Sequence, residues 1–334
     1  MFRRGLGTGL VWLLFATGVG ASEMPASTTV LETVVVSGRQ PGPGLWKVSG
    51  RGHVLWLLGT ITPLPKRMHW ASDDVEARIA QSQELLMPPS ARLKVEGAAF
   101  GGIFLLPSLL KARNNPEKER LSDVLPPADY ARWLELKQRY LGRDRGVEKR
   151  RPIVAAAELQ DAALDDADLT FDNLAARVAR RTAKKHDLTI TEPTVEIVIK
   201  DAKATLREFS ATSLDDLECF RRTLDRLDTE IESMKLRANA WALGEIDILR
   251  SLPYTDNFRA CSDALFQNRI AERAGFSDLE ARLSATWLSA AEAALGKHEQ
   301  SIALLPMNLM LRENGFLDQL RARGYEVEAP ATSR

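Results

Sequence analysis

From residue 45 the chain reads as apolar runs cut by short polar breaks, LWKVSG, then RG, then HVLWLLG. Two β-rich runs separated by a two-residue turn predict a hairpin entering a core. Residues 72–86 carry Asp73, Asp74 and Glu76 where a helix dipole favours acids, and predict a helix from Ser72 to Leu86. From about 117 to 250 the pattern is helical, with β-type alternation only in TITEPTVEIVI, residues 189–199. Leu217, Phe220, Leu224, Leu227, Ile231, Met234, Ala238 and Trp241 recur in steps of three and four. They share one helical stripe, which reads as a packing face ahead of a ligand-binding or oligomer-forming one.

In the last quarter, SDLE at 277–280 reads as a capping box opening a helix to about Leu295. SIALL, residues 301–305, reads as a short buried strand, followed by the loop PMNLMLREN, the helix GFLDQLRAR with Gly324 as its stop, and the strand YEVEA. Strand, helix, strand in this order predicts a parallel crossover. The fold class expected is α/β: a central mixed β-sheet built from the N- and C-terminal quarters, with a large α-helical insertion over about residues 110–275.

The first 21 residues change the picture. MFRRGLGTGLVWLLFATGVGA has a basic pair, an apolar run and small residues at Val19 and Ala21, the pattern of an export signal cleaved after Ala21. The run is too short and too glycine-rich for a membrane anchor, and no later stretch spans a bilayer. A flexible segment, residues 22–43, and a domain over residues 44–330 then follow, in a periplasmic protein. Lysine plus arginine and aspartate plus glutamate each total 45, and losing Arg3 and Arg4 leaves 43 basic residues against 45 acids. That balance gives no reason to expect nucleic acid as a partner and leaves a peptide, protein or small molecule.

An oxidising compartment favours pairing of the two cysteines, Cys219 and Cys261; two unpaired buried thiols are the alternative. Were residues 213–250 one straight helix, Cys219 would lie about 46 Å from its end. Eleven extended residues reach at most about 40 Å, so a bridge requires the helix to break, with Gly244 the expected place.

Three segments carry a resemblance. LWKVSGRGHVLWLLGTITPLP, ANAWALGEID with Trp241, Gly244 and Glu245, and the stretch from Arg282 to Val327 are similar, in this order, to the opening hairpin, helical element and closing unit of the TraB/GumN family, the group that includes PrgY and the Tiki metalloproteases. The resemblance implies two turns, each at the C-terminal end of a strand, supplying histidines to a divalent metal, helped by an acid after the first helix. Ligands of open α/β sheets sit at that edge. Here the first turn is Gly59, Thr60, Ile61, Thr62 and the second Leu305, Pro306, Met307, Asn308, so both histidines are absent. Where the acid belongs stand Met87 and Pro88, with Glu84 slightly early.

Threonine and asparagine are neutral oxygen donors, and zinc prefers imidazole or thiolate. The sequence therefore predicts no metal cofactor, and a ligand crevice at Gly59, Thr60, Thr62, Met307 and Asn308. Of four histidines, His53 opens a strand, His69 follows a turn, and His186 and His298 stand at helix ends. No nucleophile elbow, phosphate-cradling loop, His-Glu-x-x-His or paired-cysteine zinc motif occurs. The leading expectation is a non-catalytic binding or regulatory protein. The alternative is a peptidase or other hydrolase, metal-dependent or with a rebuilt site, with Thr62, Asn308 and Glu84 as catalytic candidates and Thr60 and His69 assisting. LETVVVSGR, residues 31–39, is also similar to the segment by which TonB-dependent outer-membrane transporters pair with TonB, but it reads first as a tail or first strand of the domain, since no barrel follows.

Overall fold

A computed structural model describes residues 42–96, 102–252, 257–266 and 269–330; residues 1–21, read above as an export signal, and the TonB-like stretch 31–39 fall outside them. Strands β1 (Leu45–Gly50) and β2 (His53–Thr60) form the expected hairpin. Arg51 and Gly52 are both left-handed, with φ of 55° and 84°, which suits a two-residue turn between twisted strands. The remaining strands are β3 (Leu64–Pro65), β4 (Glu84–Leu86), β5 (Ser90–Val95), β6 (Leu169–Thr170), β7 (Thr189–Thr191), β8 (Thr194–Ile199), β9 (Gln300–Pro306) and β10 (Glu326–Glu328).

Six of them form one mixed sheet in the order β10-β1-β2-β9-β4-β7. The ladders β2–β9, β9–β4 and β4–β7 are parallel, and β1 runs antiparallel to both its neighbours. β10 thus points the same way as β9, as the predicted crossover requires. β2 and β9 are almost continuously apolar because both faces of the sheet are covered, and Leu55, Leu57, Leu58, Ile302, Ala303, Leu304 and Leu305 are all fully buried.

Four local expectations are corrected. The helix after Ser72 ends at Ala80, and Glu84–Leu86 is a strand, because the ladders from β9 and β7 bury Leu85 and Leu86 and override helical propensity. Residues 189–199 are two strands, broken before Pro193, which has no amide to donate to a ladder. β7 joins the main sheet, so the middle of the chain supplies its edge, whereas β8 pairs with β5 in a separate parallel ribbon. The capping box does not form: helix Leu279–Lys297 begins behind Asp278, which is left-handed and makes no cap bond.

The eight-residue stripe is core, but it spans two helices, Leu217–Thr229 and Ile231–Leu243, interrupted at Glu230. Phe220, Leu224 and Leu227 pack in a helical core with Trp133 and Leu159, while Ala238 and Trp241 join the core under the sheet. The second helix stops at Gly244, whose φ of 70° reverses the chain, and Cys219 and Cys261 are bonded with their Cα atoms 4.7 Å apart.

A second fastening is a buried cation. Arg151, 1% exposed, donates from Nε to the Ala112 carbonyl at 2.9 Å and from its terminal nitrogens to Thr212 and Phe209 carbonyls at 2.9 and 2.6 Å. It therefore ties the ends of helices Gly102–Ala112 and Ala202–Ala211 to the start of helix Pro152–Asp166. Burial pushes its guanidinium below the usual range, and burial holds the nearby Asp216 carboxyl above the ordinary carboxylate range although the Ile153 amide donates to it at 2.8 Å.

Replacing both cysteines by serine releases a loop of 42 residues and should cost about 2–4 kcal/mol in urea denaturation. Arg151→Met keeps the volume but strips three carbonyls of their donor. It should cost about 3 kcal/mol or more in the same measurement, and an unchanged midpoint would remove the assigned role.

Candidate functional site

Parallel pairing decides where the two turns go. Gly59 pairs with Leu305 and Thr60 with Pro306, so the segments Gly59–Thr62 and Leu305–Asn308 leave the sheet from neighbouring strands at the same end. Thr62 and Asn308 stand two residues past paired partners and are both half-buried. Thr62 enters a cis peptide bond with Pro63, and Asn308 lies in the first turn of the short helix Met307–Leu311.

Gly59, Thr60 and Met307, the other residues expected to line a crevice here, are buried. Thr60 is 3% exposed, and its hydroxyl reaches the Leu305 carbonyl at 3.4 Å, which turns it toward backbone. A Cβ on Gly59 would meet the Met307 sulfur at 2.5 Å and Trp46 at 3.4 Å; only glycine leaves room for buried Met307. The Gly59 carbonyl accepts the Trp241 indole N–H at 2.7 Å, and Trp70 stands edge-on to that indole with ring centroids 5.4 Å apart. The sequence marks Trp241 by its place before Gly244; nothing in the local pattern announces Trp70. Gly44 and Gly42 pass beside Gly244, and the Gly42 amide donates to the Ala242 carbonyl at 2.8 Å.

Glu84 is not in this crevice. The β4–β9 register sets Leu85 against Ile302, which leaves Glu84 beside Ser301, five residues or about 16 Å from Pro306 along the strand. There it is buried, its Oε2 3.3 Å from His298 Nε2, and its other oxygen accepts from the Thr191 hydroxyl. Met87 and Pro88, beyond β4, are the residues that reach the edge shared by the two turns. His53 also belongs to the far edge, with Nδ1 2.6 Å from the Leu295 carbonyl, while His69 and His186 are exposed.

The donor set at the crevice is thus a hydroxyl, a carboxamide and a buried thioether. Among the described residues no group of three or more His, Cys, Asp or Glu is placed to hold a metal ion. These donors do not fit a transition metal, since the neutral oxygens of Thr62 and Asn308 replace imidazole nitrogens and no carboxylate joins them. They fit hydrogen bonding to an organic group: Thr62 donates or accepts once, and Asn308 offers both a carbonyl and an amide. Past Thr62 the chain continues into β3, whose partner β6 borders a cavity of about 250 Å³ lined by Lys66, Asp161, Leu164, Asp165, Leu169 and Phe171. The Lys66 ammonium is paired with Asp165 across its mouth.

Comparison with curated proteins and with solved structures finds no match. A family model described as the TraB/PrgY/gumN family matches residues 44–329, from the start of the hairpin to the end of the last strand. The opening strands, the tryptophan-bearing helix and the closing strand–helix–strand unit therefore belong together, and the chain is a member of the TraB/PrgY/gumN family.

Proposed function

We propose that this chain is an exported, periplasmic member of its family with a binding or regulatory role, and that the crevice at Thr62 and Asn308 takes an organic ligand, a peptide or small molecule, in place of a metal ion. The observation that carries the reading is that the two strands leading into the turns are neighbours in one parallel register, with a hydroxyl and a carboxamide at the two positions where the family resemblance implies imidazoles. Neither group is a competent base at neutral pH, so hydrogen-bonded recognition is the chemistry they serve without help. Buried Met307 and Trp46 against Gly59 support the reading, because they put apolar side chains beneath the few polar groups of the turns.

Elemental analysis of natively purified protein should find zinc, manganese and cobalt well below one atom per chain; one per chain overturns the reading. The same crevice should regain a metal when its donors are changed. Thr62→His together with Asn308→His should raise zinc affinity about a hundredfold over the parent by titration calorimetry, whereas either change alone should do far less. If the double substitution has no effect, the two positions do not converge. Export is checked separately, by intact mass of periplasmic material, which should begin at Ser22.

A further inference from the structure

Helix Gly102–Ala112, GIFLLPSLLKA, contains no acid and a single base, Lys111, in its last turn. Leu106, Leu109 and Leu110 fall at the i, i+3, i+4 spacing of one face and are 53%, 46% and 50% exposed, with exposed Pro107 between them. The opposite face offers half-buried Leu105 and Ser108 and buried Ala112, and the helix packs against helix Ala202–Ala211. Three large apolar side chains thus stand about half exposed on one face, where a water-facing helix carries polar residues. The face is held in place: Arg151 grips the Ala112 carbonyl, the Arg151 amide bonds the Arg113 carbonyl at 3.0 Å, and Arg113 pairs with Glu158.

Three properties limit what covers it. At eleven residues the helix is about 16 Å long, half the ~30 Å of a bilayer core, and no helix among the described residues is long and apolar enough to cross a membrane. Lys111 is the only charge on this helix, and the helix packed against it, Ala202–Ala211, carries Lys203 and Arg207 against Glu208, which pairs with Arg273. A second copy docking here about a two-fold axis would set these basic residues against one another. The leucines also form a ridge on one helix, which suits a fluid apolar layer, whereas a peptide is held in a groove or along a strand edge.

We propose that the Leu106, Leu109 and Leu110 face seats the protein on an anionic phospholipid surface, with the leucines at the acyl boundary and Lys111 at the level of the headgroup phosphates. This contact lies apart from the crevice and does not depend on what the crevice binds.

The test is flotation of the full mature chain with vesicles of phosphatidylcholine alone or with phosphatidylglycerol added. Binding should require phosphatidylglycerol and weaken as salt is raised. Leu106→Gln, Leu109→Gln and Leu110→Gln together should lower vesicle affinity at least about tenfold, and Lys111→Glu should lower it several-fold. Leu134→Gln, at a leucine 42% exposed on another helix, should leave it unchanged. Far-UV circular dichroism and the intact disulfide verify that each variant is folded. Absence of binding to phosphatidylglycerol vesicles, or equal binding by the folded triple variant, overturns the proposal. So does leucine-dependent self-association in sedimentation velocity without vesicle binding, which would assign the face to a second copy.

Discussion

The parallel ladder between β2 and β9 is the constraint on which the rest of the structure depends. It joins residues about 245 apart in sequence and starts two four-residue turns from neighbouring strands at the same end of the sheet. A slip of one residue would turn every side chain of either strand to the opposite face, and with both faces buried that cost is prohibitive. Register here is therefore fixed by apolar packing along the strands, and the turns inherit their mutual position from it. Nothing bound between the turns is needed to hold them together.

The helical insertion is coupled to that edge through one indole. Trp241 reaches the Gly59 carbonyl from a helix that ends immediately afterward at Gly244, and the incoming chain at Gly42 bonds the same helix end. A buried indole N–H needs an acceptor, and a strand-end carbonyl beside a residue without a side chain is one of the few that can be approached so closely. The break at Glu230 and the Cys219–Cys261 bond fold the preceding helix back, so the long stripe serves two cores instead of one.

Much of this was legible from residue patterns, and the failures share a cause. The hairpin, β9 and the last helix announce themselves because their apolar periods and their turn residues agree. The short strand Glu84–Leu86 does not, since three residues carry no period and only the ladders on both sides make them a strand. The placement of the two turns was legible, since Gly59 and Thr60 end one strand of the ladder and Leu305 and Pro306 end its parallel neighbour. Glu84 is not legible as remote from the turns, because closeness along the chain to Met87 is not closeness across the sheet. Three residues before Met87 in sequence is the far end of a short parallel strand, where His298 and Thr191 take up its carboxylate.

The framework's survival says little about the chemistry it once served, because each framework residue has a mechanical task of its own. Gly59 is required by Met307 and Trp46, Trp241 by the carbonyl it bonds, and Gly244 by the left-handed turn that ends its helix. A side chain at Gly59 would displace Met307, replacing Gly244 strains backbone, and losing the Trp241 indole leaves a buried carbonyl unpaired. Thr62 and Asn308 stand only half-buried past the ends of the strands, outside that packing. Side chains there can change without disturbing the ladder beneath them. The chemistry of the edge must therefore be read from the donors present, not from the scaffold that presents them.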